Sequence, residues 1–136
     1  MPNLIRTYCD FMHENICLME INFPRLESVG GNFLCNNENP IKLNLPRLKE
    51  AGFRFLENAS VEILNLPKLE EVGNDFLYHN SILKELNLPK LKYVGNNFLY
   101  NSCKYNRSLK RKINSIINNS KINLNKLLKL EKKKKW

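Results

Sequence analysis

Leu86-Asn87-Leu88-Pro89-Lys90-Leu91 decides the fold, because the chain repeats it. Leu64-Asn65-Leu66-Pro67-Lys68-Leu69 is the same hexamer, and Leu43-Asn44-Leu45-Pro46-Arg47-Leu48 exchanges only Lys for Arg. Ile21-Asn22-Phe23-Pro24-Arg25-Leu26 is a looser copy. The prolines at 24, 46, 67 and 89 lie 22, 21 and 22 residues apart, and nine residues after each comes Phe33, Phe55, Phe76 or Phe98. A fixed period of this size is the mark of a solenoid, in which each turn of chain packs on its neighbours. The register reaches back to Pro2, Leu4 and Phe11-Met12, so the expectation is a chain that opens in mid-repeat, without room for a separately designed N-terminal cap.

Within the hexamer, alternation sends both leucines to one face of a short strand and the asparagine to the other. Stacked copies give a parallel sheet along one side of the coil. Proline ends the strand, having no N–H to donate. Leu26, Leu48, Leu69 and Leu91 then turn back into the core, followed by Val29, Ala51, Val72 and Val94. Gly30, Gly52, Gly73 and Gly95 come next, and a left-handed turn is the expected demand on them. The Phe-Leu pairs at 33–34, 55–56, 76–77 and 98–99 fill the far side, with the rings stacked as a spine. The first copy departs from this, since Thr7-Tyr8 replaces Val-Gly. Either its turn is distorted, or Leu4, Ile5, Tyr8, Phe11 and Met12 form a short amphipathic helix.

The spacing resembles the BspA-like (treponemal-type) leucine-rich repeats of bacterial and some protist proteins. Leu86, Leu88, Pro89, Leu91, Val94, Gly95, Phe98 and Leu99 sit on that family's pattern, over about residues 1–102. Two departures stand out: Phe-Leu replaces the family's Ala-Phe, and Asn37, Asn80 or Ser102 replaces its cysteine. The resemblance implies an α/β solenoid of about five 22-residue repeats. Its parallel sheet would lie on the concave face, with an irregular or short-helical convex side and a habit of binding partners. Many relatives are long secreted adhesins, whose length and secretion signal this chain lacks.

The charge divides the chain. Residues 104–136 hold twelve Lys/Arg and one acid, whereas residues 1–103 hold ten against twelve. We therefore divide it into a repeat array over 1–103 and a basic capping segment and tail over 104–136. In the tail, Ile122-Asn123-Leu124-Asn125-Lys126-Leu127 copies the hexamer with Asn for Pro, which favours a decayed capping strand. The competing reading is a basic amphipathic helix striped by Ile113, Ile116, Ile117, Leu124, Leu127 and Leu128. Lys132 to Lys135 and Trp136 form a mobile end in either case. The default reading is a solubilising, non-specific tail; the alternative is that its cations neutralise phosphates, giving weak, non-specific nucleic-acid contact or attraction to an anionic membrane. Only Tyr105 and Trp136 are there to stack on bases.

No apolar run is long enough to span a bilayer, and no secretion signal is visible, so a cytoplasmic protein is expected. Cys9, Cys17, Cys35 and Cys103 fit no metal spacing and are read as reduced thiols. His13 and His79 have no evident catalytic partner, and no phosphate loop, paired carboxylates or H-E-x-x-H motif is present. The expectation is a non-enzyme without cofactor or metal.

What remains is surface. Asn22, Asn44, Asn65 and Asn87 form one file on the strand face, with Arg25, Arg47, Lys68 and Lys90 in a second file beside it. A structural reading has the asparagines bonding to one another and the cations meeting Glu27, Glu50, Glu70 and Glu71. A functional reading makes the two files a docking strip for another protein. Three functions stay open. One is a protein–protein interaction module. Another is a phage-type, anti-CRISPR-like inhibitor of a nucleic-acid enzyme, whose partner would be a nucleoprotein complex. The last is a fragment of a longer repeat-containing surface protein.

Overall fold

A computed structural model describes residues 6–7, 20–36, 42–80, 82–100 and 107–134. The chain is a parallel-strand β-solenoid of about three turns, closed at its C-terminal end by one helix. The hexamers supply β2 (Glu20–Asn22), β4 (Lys42–Asn44), β6 (Ile63–Asn65) and β8 (Glu85–Asn87). A second strand in each coil comes from the Val-Gly segment. These are β3 (Ser28–Gly31), β5 (Glu50–Phe53), β7 (Glu71–Val72) and β9 (Tyr93–Val94), preceded by β1 (Arg6–Thr7).

The continuous sheet is built from this second set, in the order β1-β3-β5-β7-β9, all parallel. Thr7 pairs with Val29, so the first copy keeps the strand despite its altered sequence. Leu4, Ile5, Tyr8, Phe11 and Met12, the residues of the alternative helix, lie outside the described residues. The hexamer strands form two separate pairs, β2-β4 and β6-β8, in place of the one sheet expected from their repetition. That ladder breaks between Pro46 and Pro67, where the repeat is one residue short.

Proline does more than stop the strand. The N–H groups of Leu26, Leu48, Leu69 and Leu91 donate to the carbonyls of Phe23, Leu45, Leu66 and Leu88 at 3.3–3.4 Å. Each Pro-Arg or Pro-Lys pair is thus the centre of a tight turn, with proline at the position where its fixed φ is favoured. The turn forms a corner between the two strand sides. Inside, Leu26, Leu48, Leu69, Val29, Ala51 and Val72 are buried. Phe33, Phe55, Phe76 and Phe98 stack at centroid distances of 5.2, 5.3 and 5.4 Å, with ring planes within 10° of parallel.

The left-handed turn lies elsewhere than at the glycines, none of which has positive φ. Left-handed backbone falls on alternate residues beyond them: Asn32, Leu34 and Asn36 in one coil, and Arg54, Leu56 and Asn58 in the next. Asp75, Leu77 and His79 repeat the pattern. This side of the coil is therefore a run of successive turns, and its N–H groups bond to adjacent coils. Leu56 donates to Phe33 O at 2.9 Å in one direction, and Arg54 donates to Asn74 O at 2.7 Å in the other. Neighbouring coils hold these otherwise sparsely populated leucine conformations in place. Glycine is needed instead because the coils approach closely. A Cβ on Gly73 would lie 2.9 Å from the carbonyl carbon of Gly52, and one on Gly95 would lie 2.6 Å from that of Gly73.

Residues 122–127 are helical, which overturns the capping-strand expectation. They belong to α1 (Arg107–Lys134), which also takes in Lys132 to Lys134 of the expected mobile end. No Pro or Gly interrupts residues 107–134, and Leu109, Ile113, Ile116 and Ile117 recur at helical spacing against the last coil. The buried Ser120 accepts the Val94 N–H on Oγ at 2.9 Å. Lys112 Nζ donates to Leu86 O at 2.7 Å, and Asn123 Nδ2 donates to Lys92 O at 3.0 Å. The helix thereby covers strand edges that would otherwise offer a template to another chain.

Candidate functional site

The two surface files stand where the strand pattern puts them. Asn22, Asn44, Asn65 and Asn87 are all exposed. Asn44 Nδ2 donates to Asn22 Oδ1 at 2.9 Å, and Asn87 Nδ2 donates to Asn65 Oδ1 at 3.0 Å. The ladder is real but comes as two pairs, matching the two-stranded sheets beneath. Each pair holds its amides in a fixed orientation while leaving outward lone pairs and N–H groups for a partner.

Arg25, Arg47, Lys68 and Lys90 sit at the third position of the corner turns, and all four are exposed. Coil stacking places them one above another. Among the described residues none of the four joins an ion pair, contrary to the expectation that neighbouring glutamates meet them. The ion pairs lie elsewhere: Lys92 with Glu70 at 3.9 Å, Lys84 with Glu62 at 3.0 Å, and Arg54 with Glu57 at 2.8 Å. The hydrogen bond that Arg54 donates to the Glu57 carboxylate raises the Arg54 pKa above its ordinary value. The corner column is thus a cationic ridge outside any ion pair among the described residues, beside an ordered amide surface.

At its C-terminal end the hexamer face meets the start of α1. A groove of about 410 Å³ opens there, with Asn65, Asn87, Ile63, Lys84, Ser108 and Lys112 among its walls. Sequence reasoning missed Ile63, Lys84 and Lys112, since the groove exists only because the helix folds back on β8. It missed a second polar ladder too. Asn58 Nδ2 donates to Asn36 Oδ1 at 3.0 Å, and Asn97 Nδ2 donates to Asp75 Oδ1 at 2.9 Å. The 22-residue spacing of each pair was the available signal.

Other candidate chemistry resolves into structure. Cys35 is buried, and its reduced thiol donates to Arg54 O at 2.7 Å. His79 packs edge-on against Tyr78, with ring centroids 3.9 Å apart. Asn80 is fully buried and bonds Val61 through both ends of its amide. Cys9, Cys17, Cys103 and His13 lie outside the described residues. Among the described residues no group of three or more His, Cys, Asp or Glu could hold a metal, and no helix is long and apolar enough to cross a membrane. No family model, curated protein or solved structure matches the chain.

Proposed function

We propose that this protein is a non-catalytic interaction module that docks an acidic surface of a protein partner against its hexamer face. The observation that carries this reading is the corner column: Arg25, Arg47, Lys68 and Lys90, stacked, exposed and outside any ion pair among the described residues. Like charges stacked at coil spacing repel one another and favour no fold. An acidic partner relieves that repulsion and gains steering from the aligned charges. The Asn22–Asn44 and Asn65–Asn87 pairs supply hydrogen-bonding groups already fixed in place. A partner then pays less ordering entropy on binding. The phage-type inhibitor reading would differ only in whose acidic surface is bound.

The test is charge reversal. Arg47→Glu with Lys68→Glu should weaken binding of a polyglutamate peptide by at least tenfold at low salt, with the melting temperature little changed, because exposed charges contribute only about 0–1 kcal/mol each. Lys110→Glu with Arg111→Glu, on the exposed side of α1, serves as the comparison. If both double mutants lose binding equally, the corner column is a solvated stripe and the proposal fails.

A further inference from the structure

The C-terminal half of α1 has an apolar face that the solenoid does not cover. The last bond from the helix to the coils, among the described residues, is that of Asn123. Beyond it, Leu124, Leu127, Leu128 and Leu130 are between 43% and 56% exposed, although they continue the arc by which Leu109 and Ile113 are buried. Residues 124–134 extend about 16 Å at helical rise. At about 100° per residue, the four leucines span an arc of about 160°. Lys126 borders one side of that arc, Lys121 borders the other and Lys129 lies opposite, while the one acid of the segment, Glu131, takes a position within the arc at its C-terminal end.

We propose that this half-helix lies on an anionic lipid surface, with its leucines in the acyl boundary and its lysines among the headgroups. Three occupants could meet the same arrangement. A nucleic acid would engage the lysines and leave four leucines in water. A second copy would cover the leucines but bring two strongly cationic helices together, which like-charge repulsion opposes. An anionic bilayer accepts the leucines of residues 124–130 and the lysines beside them at once, with Glu131 left at the headgroup end of the face. It also suits the width of the apolar arc, since a planar interface contacts a broad face whereas a helix–helix seam uses a narrow one. The helix lies in the interface and does not cross it. Leu109, Ile113 and Ser120 hold its first half on the solenoid, so the coils would be carried at the membrane surface.

The experiment uses the full chain with vesicles of phosphatidylcholine, with or without about a third phosphatidylglycerol. Binding is read by sedimentation and by the emission of Trp136, the chain's single tryptophan. The expected result is binding to the anionic vesicles alone, with a blue shift. Leu124→Gln, Leu127→Gln and Leu128→Gln together should reduce partitioning more than about tenfold. These residues are exposed, so the melting temperature should not move. Lys126→Glu with Lys129→Glu should also reduce binding while keeping the leucines. Failure of the wild-type chain to bind anionic vesicles overturns the proposal. So does unchanged binding by the glutamine variant, which would mean adsorption by charge alone. A wild-type dimer in ultracentrifugation that the glutamine variant abolishes would assign the face to a second copy instead.

Discussion

Gly73 illustrates how one residue can answer to a neighbour 21 positions away. A Cβ there would meet Gly52 C at 2.9 Å and Phe53 N at 3.0 Å, and backbone atoms cannot swing aside. Gly73→Val should therefore destabilise the fold by about 3 kcal/mol or more. Asn74→Ala removes only the acceptor of the exposed Asn96 N–H, worth about 1 kcal/mol. Urea unfolding of the two mutants compares them directly, and similar midpoints would remove close coil packing as the reason for glycine. The glycine in each copy was legible in the sequence, but its reason was not. One repeat read alone suggests a turn, whereas the clash arises between repeats. The left-handed sites were hidden for the opposite reason, since leucine, arginine and asparagine occupy them and none announces positive φ as glycine does.

Among the elements, the phenylalanine column and α1 contrast in how far the sequence revealed them. The column was legible because nine-residue offsets repeat, and strand stacking leaves the rings nowhere else to go. Phe76 has Phe55 at 5.3 Å on one side and Phe98 at 5.4 Å on the other, with no exposed surface. Phe76→Ala should cost roughly 3–5 kcal/mol, the usual range for emptying a buried aromatic site. A loss under about 1 kcal/mol in chemical denaturation would show that the neighbours collapse into the gap. The helix was harder to read because Ile122-Asn123-Leu124-Asn125-Lys126-Leu127 imitates a strand hexamer. Its asparagine in place of proline removes the corner turn, so nothing stops the helix that begins at Arg107. The helical stripe is visible from Ile113 onward, but Leu109 at its head stands apart from it in the sequence. That residue, with the Ser120 bond to Val94, fastens the helix to the last coil.

At the scale of the molecule, the candidate surface was readable as two files, but its division was not. A single missing residue between Pro46 and Pro67 leaves the Val-Gly sheet continuous and splits the hexamer side into two leaves. Asn22 and Asn44 belong to one leaf, Asn65 and Asn87 to the other, with Arg47 and Lys68 on either side of the gap. The five-stranded sheet is the unbroken spine, and the interrupted ladder on the hexamer side is where opening would begin. Local opening follows the weakest bonding. The Phe23 and Leu66 amides bond across to Asn44 O and Asn87 O at 3.2 and 3.1 Å, and among the described residues Leu45 has no corresponding bond to Asn65. Hydrogen exchange should accordingly be faster at Leu45 than at Phe23 or Leu66, and slow at Gly73, whose N–H is held by Ala51 O at 2.9 Å on the spine. Equal protection at all four amides would mean that the leaves move as one. Faster exchange at Leu45 would mean compliance along one axis, by which a partner whose acidic groups are not spaced at coil intervals could still be gripped.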